Sequence, residues 1–271
     1  MARRWTTEEE QKYKNELVLL YIEANKTIDE VGTLLKIAPQ TVFDRLERLG
    51  IPTCRDKKEF VNNQRKDIVL PADRSVDLAE LFGVLLGDGH VDHFQVFVNL
   101  GNKELEYARH VCKLMHSLFD KQPKIATRAT GHRDVYLSST AVTSWLLREG
   151  LVRNKVSAQV DVPSWVHEEK RFTDAFLRGF FDTDGSVYKL RYGIQISFSN
   201  KSMPLLLSLQ KMLRTLGYSP SAISGYNLYL TKRLDVQRFF AEIKPANSKH
   251  IRRYHEIMRR VGTQAVNEDA L

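Results

Sequence analysis

Two nine-residue stretches decide how this chain is read: Leu81-Phe82-Gly83-Val84-Leu85-Leu86-Gly87-Asp88-Gly89 and Leu177-Arg178-Gly179-Phe180-Phe181-Asp182-Thr183-Asp184-Gly185. Each is an apolar, helix-compatible run with an internal glycine and an Asp-Gly ending, and the two lie 96 residues apart. Landmarks downstream repeat in the same order. Asn102-Lys103 answers Asn200-Lys201 at offset 98, Asp134-Val135-Tyr136-Leu137 answers Asn227-Leu228-Tyr229-Leu230 at offset 93, and Lys155 answers Lys249 at offset 94. Four ordered matches mark an internal duplication.

Each copy reads helix, two strands, helix, two strands, helix. In the second, Ile194, Ile196 and Phe198 alternate with Gln195, Ser197 and Ser199, the pattern of a half-buried strand. Leu205–Leu216, ended by Gly217, and Val236–Ile243, stopped by Pro245, read as helices on either side of a strand over Tyr226–Thr231. The first copy follows with strands around Val96–Leu100 and Val135–Leu137 and helices over Leu105–Phe119 and Val142–Leu147. About eight strands result, with one sheet face under helices and the other polar: an α+β body of two pseudo-twofold-related repeats.

A glycine inside a helix costs about 1 kcal/mol against alanine, so two at matched positions need a reason. Gly83 and Gly179 let two helix backbones approach closely at a pseudo-twofold axis. Asp88 and Asp184 then stand side by side at helix ends, each followed by a glycine that tolerates a left-handed exit. Two carboxylates near helix C-termini repel one another and the helix dipoles, which favours a divalent cation between them. Asp-Gly is also a common turn dipeptide. The matched context favours chemistry over turn formation.

These motifs, with the approach Arg171-Phe172-Thr173-Asp174-Ala175-Phe176, resemble the paired motifs of single-chain LAGLIDADG homing endonucleases over about residues 77–260. The resemblance implies a saddle of antiparallel strands on a long asymmetric duplex DNA site, a monomer, and metal-dependent hydrolysis of one phosphodiester per strand across the minor groove, leaving 3′ overhangs. It implies Mg²⁺ at Asp88 and Asp184, with Mn²⁺ or Ca²⁺ as substitutes, and basic assistance from Lys155 and Lys249 in corresponding loops. Leu86 stands where the second copy has Asp182, so Asp182 is read as structural.

Ahead of this body, Thr6 or Thr7 with Glu8, Glu9 and Glu10 opens a helix to about Glu23. Thr27–Leu35 forms a second, and a third starts near Pro39 and stops at Gly50. The segment 1–53 resembles a helix-turn-helix DNA-binding domain, with Gln40, Thr41, Asp44 and Arg45 on the solvent side of the third helix. Residues 54–76 read as a basic linker, 77–165 as the first repeat and 166–271 as the second. The formal net charge of +8 suits a polyanion, and Cys54 and Cys112 exclude a disulfide framework or zinc ribbon. Neither a signal peptide nor a spanning segment is recognisable, so an intracellular protein off the membrane is expected.

Counting alternate residues along the polar faces selects DNA-contact candidates. These are His90, Asn99, Lys124, Arg128, Arg133 and Tyr136 in the first repeat. In the second they are Ser186, Tyr188, Arg191, Gln195, Ser197, Ser199, Asn227, Tyr229 and Thr231. A transcription regulator that binds without cutting, and a maturase that binds intron RNA, are the competing functions. An intein is disfavoured because the chain lacks a nucleophilic first residue and a terminal His-Asn. A glycosyltransferase reading of Asp182-Thr183-Asp184 leaves the duplication unexplained.

Overall fold

The computed structural model describes residues 6–24, 26–53, 68–191 and 193–268, the last eight by backbone alone. Most of the expected linker, with Cys54, lies outside these residues. The chain divides into two compact units, residues 1–64 and 65–271.

In the first unit, α1 (Thr7–Leu17) opens on a capping box in which the Thr6 hydroxyl accepts from the Glu9 backbone N–H and Glu9 answers the Thr6 backbone N–H. The helix continues as a π-helical stretch, Val18–Glu23, rather than as regular α-helix. A second capping box, Thr27 with Glu30, starts α2 (Ile28–Leu35), and Pro39 occupies the first turn of α3 (Pro39–Arg48). The short connection is tight: a Cβ on Gly32 would lie 2.9 Å from the Ile37 carbonyl oxygen. Leu17, Tyr21, Val31, Val42, Leu46 and Ile51 form this unit's own core.

The second unit begins with α4 (Val76–Leu86), β1 (Gly89–Val91), β2 (Gln95–Leu100), α5 (Leu105–Phe119), β3 (Lys124–Thr127), β4 (Arg133–Ser138) and α6 (Thr140–Arg148). After a short 3₁₀ turn at Ser164–His167 the pattern recurs as α7 (Lys170–Asp184), β5 (Gly185–Leu190), β6 (Gly193–Ser199), α8 (Met203–Thr215), β7 (Asn227–Leu230) and α9 (Arg233–Glu242). A final helix, α10, runs Ser248–Glu268. Both sheets are antiparallel, ordered β1-β2-β4-β3 and β5-β6-β7. Among the described residues there are therefore seven strands, not eight. Between α8 and β7 no regular strand forms: the Ser221 N–H donates to the Tyr229 carbonyl, the Tyr229 N–H donates to the Ser221 hydroxyl, and Ser224 forms an isolated bridge with Asn227.

Strand pairing fixes which residues share a face. Val96, Val98, Leu100, Val135 and Leu137 are buried on the inner face of the first sheet, and Ile194, Ile196, Phe198, Leu228 and Leu230 on that of the second. The opposite faces carry His90, Gln95, Phe97, Asn99, Asp134, Tyr136 and Lys124, and Ser186, Tyr188, Gln195, Ser197, Ser199, Asn227 and Tyr229. Two expectations fail here. Arg133 pairs with buried Leu100, which places it on the inner-face register, and its guanidinium donates to the Asn102 carbonyl. Ser197 has the polar-face register but sits between Ser186 and Tyr229 on neighbouring strands and is only 1% exposed.

The two repeats meet through α4 and α7, and the glycines set the distance. A Cβ on Gly83 would lie 2.2 Å from the Phe176 carbonyl oxygen and 2.7 Å from the Phe180 nitrogen. A Cβ on Gly179 would lie 2.1 Å from the Glu80 carbonyl oxygen and 3.0 Å from the Val84 nitrogen. Phe176 and Phe180 match Glu80 and Val84 at the same 96-residue offset as the motifs, so the contact is itself twofold. The glycines after the acids act differently from the left-handed exit expected. Gly185 leaves α7 in an extended conformation, and a Cβ there would strike the Phe181 carbonyl oxygen at 2.2 Å. Gly89 meets Leu85 in the same way, at 2.4 Å from its Cα. Nor do both helices end on the acid, since α4 stops at Leu86 while α7 includes Asp184.

Gly179→Ala tests the interface with the smallest side chain. Helix propensity alone would stabilise the variant by about 1 kcal/mol. Contact with an unyielding backbone reverses the sign, with a net loss of about 1–3 kcal/mol expected in urea melts. A variant as stable as the parent would disprove the backbone contact.

Candidate active site

The α4–α7 contact delivers the two motif aspartates to one place. Asp88 follows the last turn of α4 and enters β1; its own carbonyl accepts from the Asn99 N–H at 3.1 Å. Asp184 is the last residue of α7. A Cβ on Gly87 would lie 3.5 Å from the Asp184 carboxyl carbon and 2.0 Å from the Thr183 hydroxyl, so only glycine fits beside the second acid.

Electrostatics reflect the proximity. Burial, then the charge of Asp88, push the Asp184 carboxyl up to about 7, against a hydrogen bond from Asn200 and the charge of Lys155. Asn200 Nδ2 donates to Asp184 Oδ2 at 2.9 Å. Asp88 retains exposed surface, yet the protein packed around its carboxyl, together with Glu104, raises it as well. An open cleft of about 430 Å³ over the second acid is lined by Gly87, Lys155, Asp184, Asn200, Tyr226 and Asn227, among others.

The two lysines differ in role. Lys155 donates its ammonium to the carbonyls of Leu85 at 3.0 Å, Leu86 at 3.2 Å and Gly87, capping the C-terminus of α4. Burial lowers its pKa, opposed by Asp184 and Asp88. Lys249 is in the first turn of α10, not in a loop, and binds Glu104 Oε1 at 2.9 Å. The matched lysines thus differ in target: Lys155 holds the end of α4 in its own repeat, whereas Lys249 of the second repeat reaches across to Glu104 of the first.

Glu104 and Asn247 carry no signal in the sequence pattern. Burial alone would raise Glu104, but hydrogen bonds from Lys249 and Asn247 outweigh it and hold the carboxyl below its usual value. Asn247 Nδ2 donates to Glu104 Oε1 at 2.8 Å and to the Asp182 carbonyl at 2.9 Å. Asp182, fully buried, accepts the backbone N–H groups of Ala246 at 2.8 Å and Asn247 at 3.0 Å. Burial still pushes it up to about 7. Its position makes it the anchor of the α10 N-terminus. For Asn200, the matched Asn-Lys landmarks at 102 and 200 are the signal in the sequence. Nothing comparable marks Glu104, because the second repeat has Ser202 at that offset.

Around the acids, His90, Asn99, Lys124 and Tyr136 lie on one polar face and Ser186, Tyr188, Gln195, Ser199, Asn227 and Tyr229 on the other. Arg191 and Thr231 flank the strands and are exposed. Arg128 brackets this surface, donating to Asp134 Oδ2 at 2.7 Å and Asn99 Oδ1 at 3.1 Å. Separately, on α3, Gln40 bonds Asp44 at 2.9 Å and Thr41 is half-buried. Arg45 does not project freely to solvent: its guanidinium lies over the Tyr13 ring, 4.4 Å from the centroid.

Residues 171–244 match the model of the LAGLIDADG-like domain family. Among curated proteins, the chain is 31% identical over 134 residues to the replication factor C small subunit of Methanocaldococcus jannaschii, covering 49% of this chain and 7% of that protein. It is 25% identical over 267 residues to the replication factor C small subunit of Thermococcus kodakarensis, covering 86% of this chain and 30% of that one. The chain thus spans less than a third of either relative. Among solved structures, mesophilic variants of the homing endonuclease I-DmoI align over 62% of this chain and 94% of theirs, at 17% identity and a TM-score of 0.45. The N-terminal LAGLIDADG domain of DUF199/WhiA aligns over 65% and 86%, at 18% identity and a TM-score of 0.46. No helix among the described residues is long and apolar enough to cross a membrane.

Lys155→Met keeps an unbranched apolar stem but leaves three carbonyls at the end of α4 without their donor. A loss of about 1–3 kcal/mol in denaturant melts is expected. Unchanged stability would mean that the ammonium does not cap the helix.

Proposed function

We propose that this chain is a site-specific double-strand DNA endonuclease of the LAGLIDADG type, hydrolysing one phosphodiester on each strand with a divalent metal ion. The observation that carries the reading is the carboxylate pair, Asp88 and Asp184, brought together at matched motif positions by two glycine-packed helices. The family match over residues 171–244 supports it.

The donor set fits Mg²⁺. Among the described residues no cluster of three or more His, Cys, Asp or Glu side chains could hold a metal. Mg²⁺ suits a site with one or two carboxylates, because it keeps waters and takes substrate phosphate oxygens for the rest. Mn²⁺ or Ca²⁺ would occupy the same acids. When bound, such an ion supplies activated water and stabilises the leaving oxygen. The remaining work falls to the protein. Asp88 and Asp184 hold the charge, Asn200 orients Asp184, and Lys155 fixes the turn that carries Asp88 while adding positive potential beside both acids. Lys249 holds Glu104, leaving the two halves chemically unequal.

His90, Asn99, Lys124, Arg128 and Tyr136 from the first repeat contact the duplex, as do Ser186, Tyr188, Arg191, Gln195, Ser199, Asn227, Tyr229 and Thr231 from the second. Since these sets differ, the target is long and asymmetric and a monomer suffices. The unit containing α1–α3 serves as a helix-turn-helix that adds contacts through Gln40 and Thr41. Intracellular action on genomic DNA follows from this function.

Selecting cleaved duplexes from a randomised library with Mg²⁺ tests the reading and supplies the target. On that target, Asp88→Asn and Asp184→Asn should bind near parental affinity and cut at least about 100-fold more slowly, since each removes a metal-holding charge. Because Asp184 titrates near 7 when folded and near 3.8 when unfolded, its contribution to stability is present in acid and lost as pH rises through 7. The Asp184→Asn variant should therefore be no less stable than the parent in mildly alkaline buffer. Parental cutting by either Asn variant would remove the assigned acids. Specific binding by the parent with no cleavage under any divalent metal would leave a regulator.

A further inference from the structure

Helix α10 is long and two-sided, and beyond Lys249 its polar side has no part in the site described above. Its inner side packs into the core: Ile257 is buried, and the Tyr254 ring stacks on Phe240 with centroids 4.0 Å apart. Its outer side carries Lys249, Arg252, Arg253, Glu256, Arg259 and Arg260, all exposed, at the spacing of one helical stripe. All but Glu256 are basic.

Three observations place this stripe beside the proposed DNA surface. First, an open cleft of about 360 Å³ is lined jointly by Ser186 and Tyr188, from the polar face of β5, and by Lys249, Arg252, Arg253 and Glu256. Second, the helix is anchored where the stripe begins. Asp182 takes the Ala246 and Asn247 N–H groups, and Glu104 takes both Asn247 and Lys249. Third, α10 packs against β5, the strand that begins directly after Asp184.

We propose that the outer face of α10, chiefly Arg252 and Arg253 with Arg259 and Arg260 further along, binds the phosphate backbone of duplex DNA beside the cleavage position. This rests on the endonuclease reading, and it adds a binding surface outside the strands. At about 1.5 Å per residue, Arg252 to Arg260 spans roughly 12 Å. Phosphates of one strand follow at about 3.4 Å along the duplex axis, so the stripe covers roughly three or four. Glu256 opposes an anion in the cleft. Among the described residues it pairs with Arg253 at 3.9 Å, both side chains half-exposed, a weak pairing that leaves Arg253 available. Binding of this kind carries no sequence information and adds affinity on any duplex.

The test needs no target. Binding of the full chain to an arbitrary duplex of about three helical turns is measured across salt concentrations, without divalent metal. Arg252→Gln/Arg253→Gln and Arg259→Gln/Arg260→Gln are compared with Lys211→Gln/Arg214→Gln, which removes two exposed charges from α8. In the α10 pairs the slope of log affinity against log salt should flatten by roughly 0.9 for each phosphate that is no longer neutralised. It should change far less in the α8 pair. Thermal melts check that all variants fold. Parental slopes in both α10 pairs, or an equal change in the α8 pair, would overturn this inference and leave the endonuclease reading standing. A parent that binds no duplex at any salt would overturn both.

Discussion

Backbone touches backbone where α4 meets α7, and the rest of the second unit is arranged around that contact. With glycine at 83 and 179, carbonyl and amide groups of one helix fill the space that side chains of the other would take. The approach is close enough for Asp184 to feel the charge of Asp88. It also buries Glu80, whose carboxylate pairs with Arg178 across the interface at 2.9 Å and with His110 of α5 at 2.6 Å. Burying charge is costly unless it is paired, and removing one partner strands the other.

The twofold relation holds for the helix contact and breaks down toward the periphery. Of the lysines at matched positions, one caps a helix end in its own repeat and the other crosses to a carboxylate of the opposite repeat. Glu104 has Ser202 as its counterpart, and the second sheet lacks a regular fourth strand among the described residues. Residues that create the carboxylate pair have kept the symmetry, while those that surround it have diverged. Unequal halves suit the asymmetric duplex proposed as the target.

Much of this is legible in the residues. The paired glycines tell of close packing because a helix-interior glycine is unfavourable without a packing reason. Strand alternation tells which faces are polar because side chains alternate with a period of two. What stays hidden depends on distances between segments far apart in sequence. Asp182 anchoring Ala246 and Asn247, Asn247 joining Glu104 to α7, and Lys155 reaching back to Leu85 have no local pattern. Arg133 defeats a reading by residue type, because a charged residue at a strand end can hold the inner register; its pairing with Leu100 settles the face. Ser197 defeats a reading by alternation, because a polar-face position in a central strand can still be covered by its cross-strand neighbours.

Asp88 and Asp184 share one electrostatic environment. Carbon-13 NMR titration of the aspartate carboxyls measures this without DNA or metal. In the parent, one carboxyl assigned to Asp184 should titrate near 7, far above an ordinary aspartate. In Asp88→Asn the same resonance should move down, since burial remains but the neighbouring charge is gone. An Asp184 carboxyl that titrates identically in both proteins would show that the acids do not interact, and the site as described would be wrong.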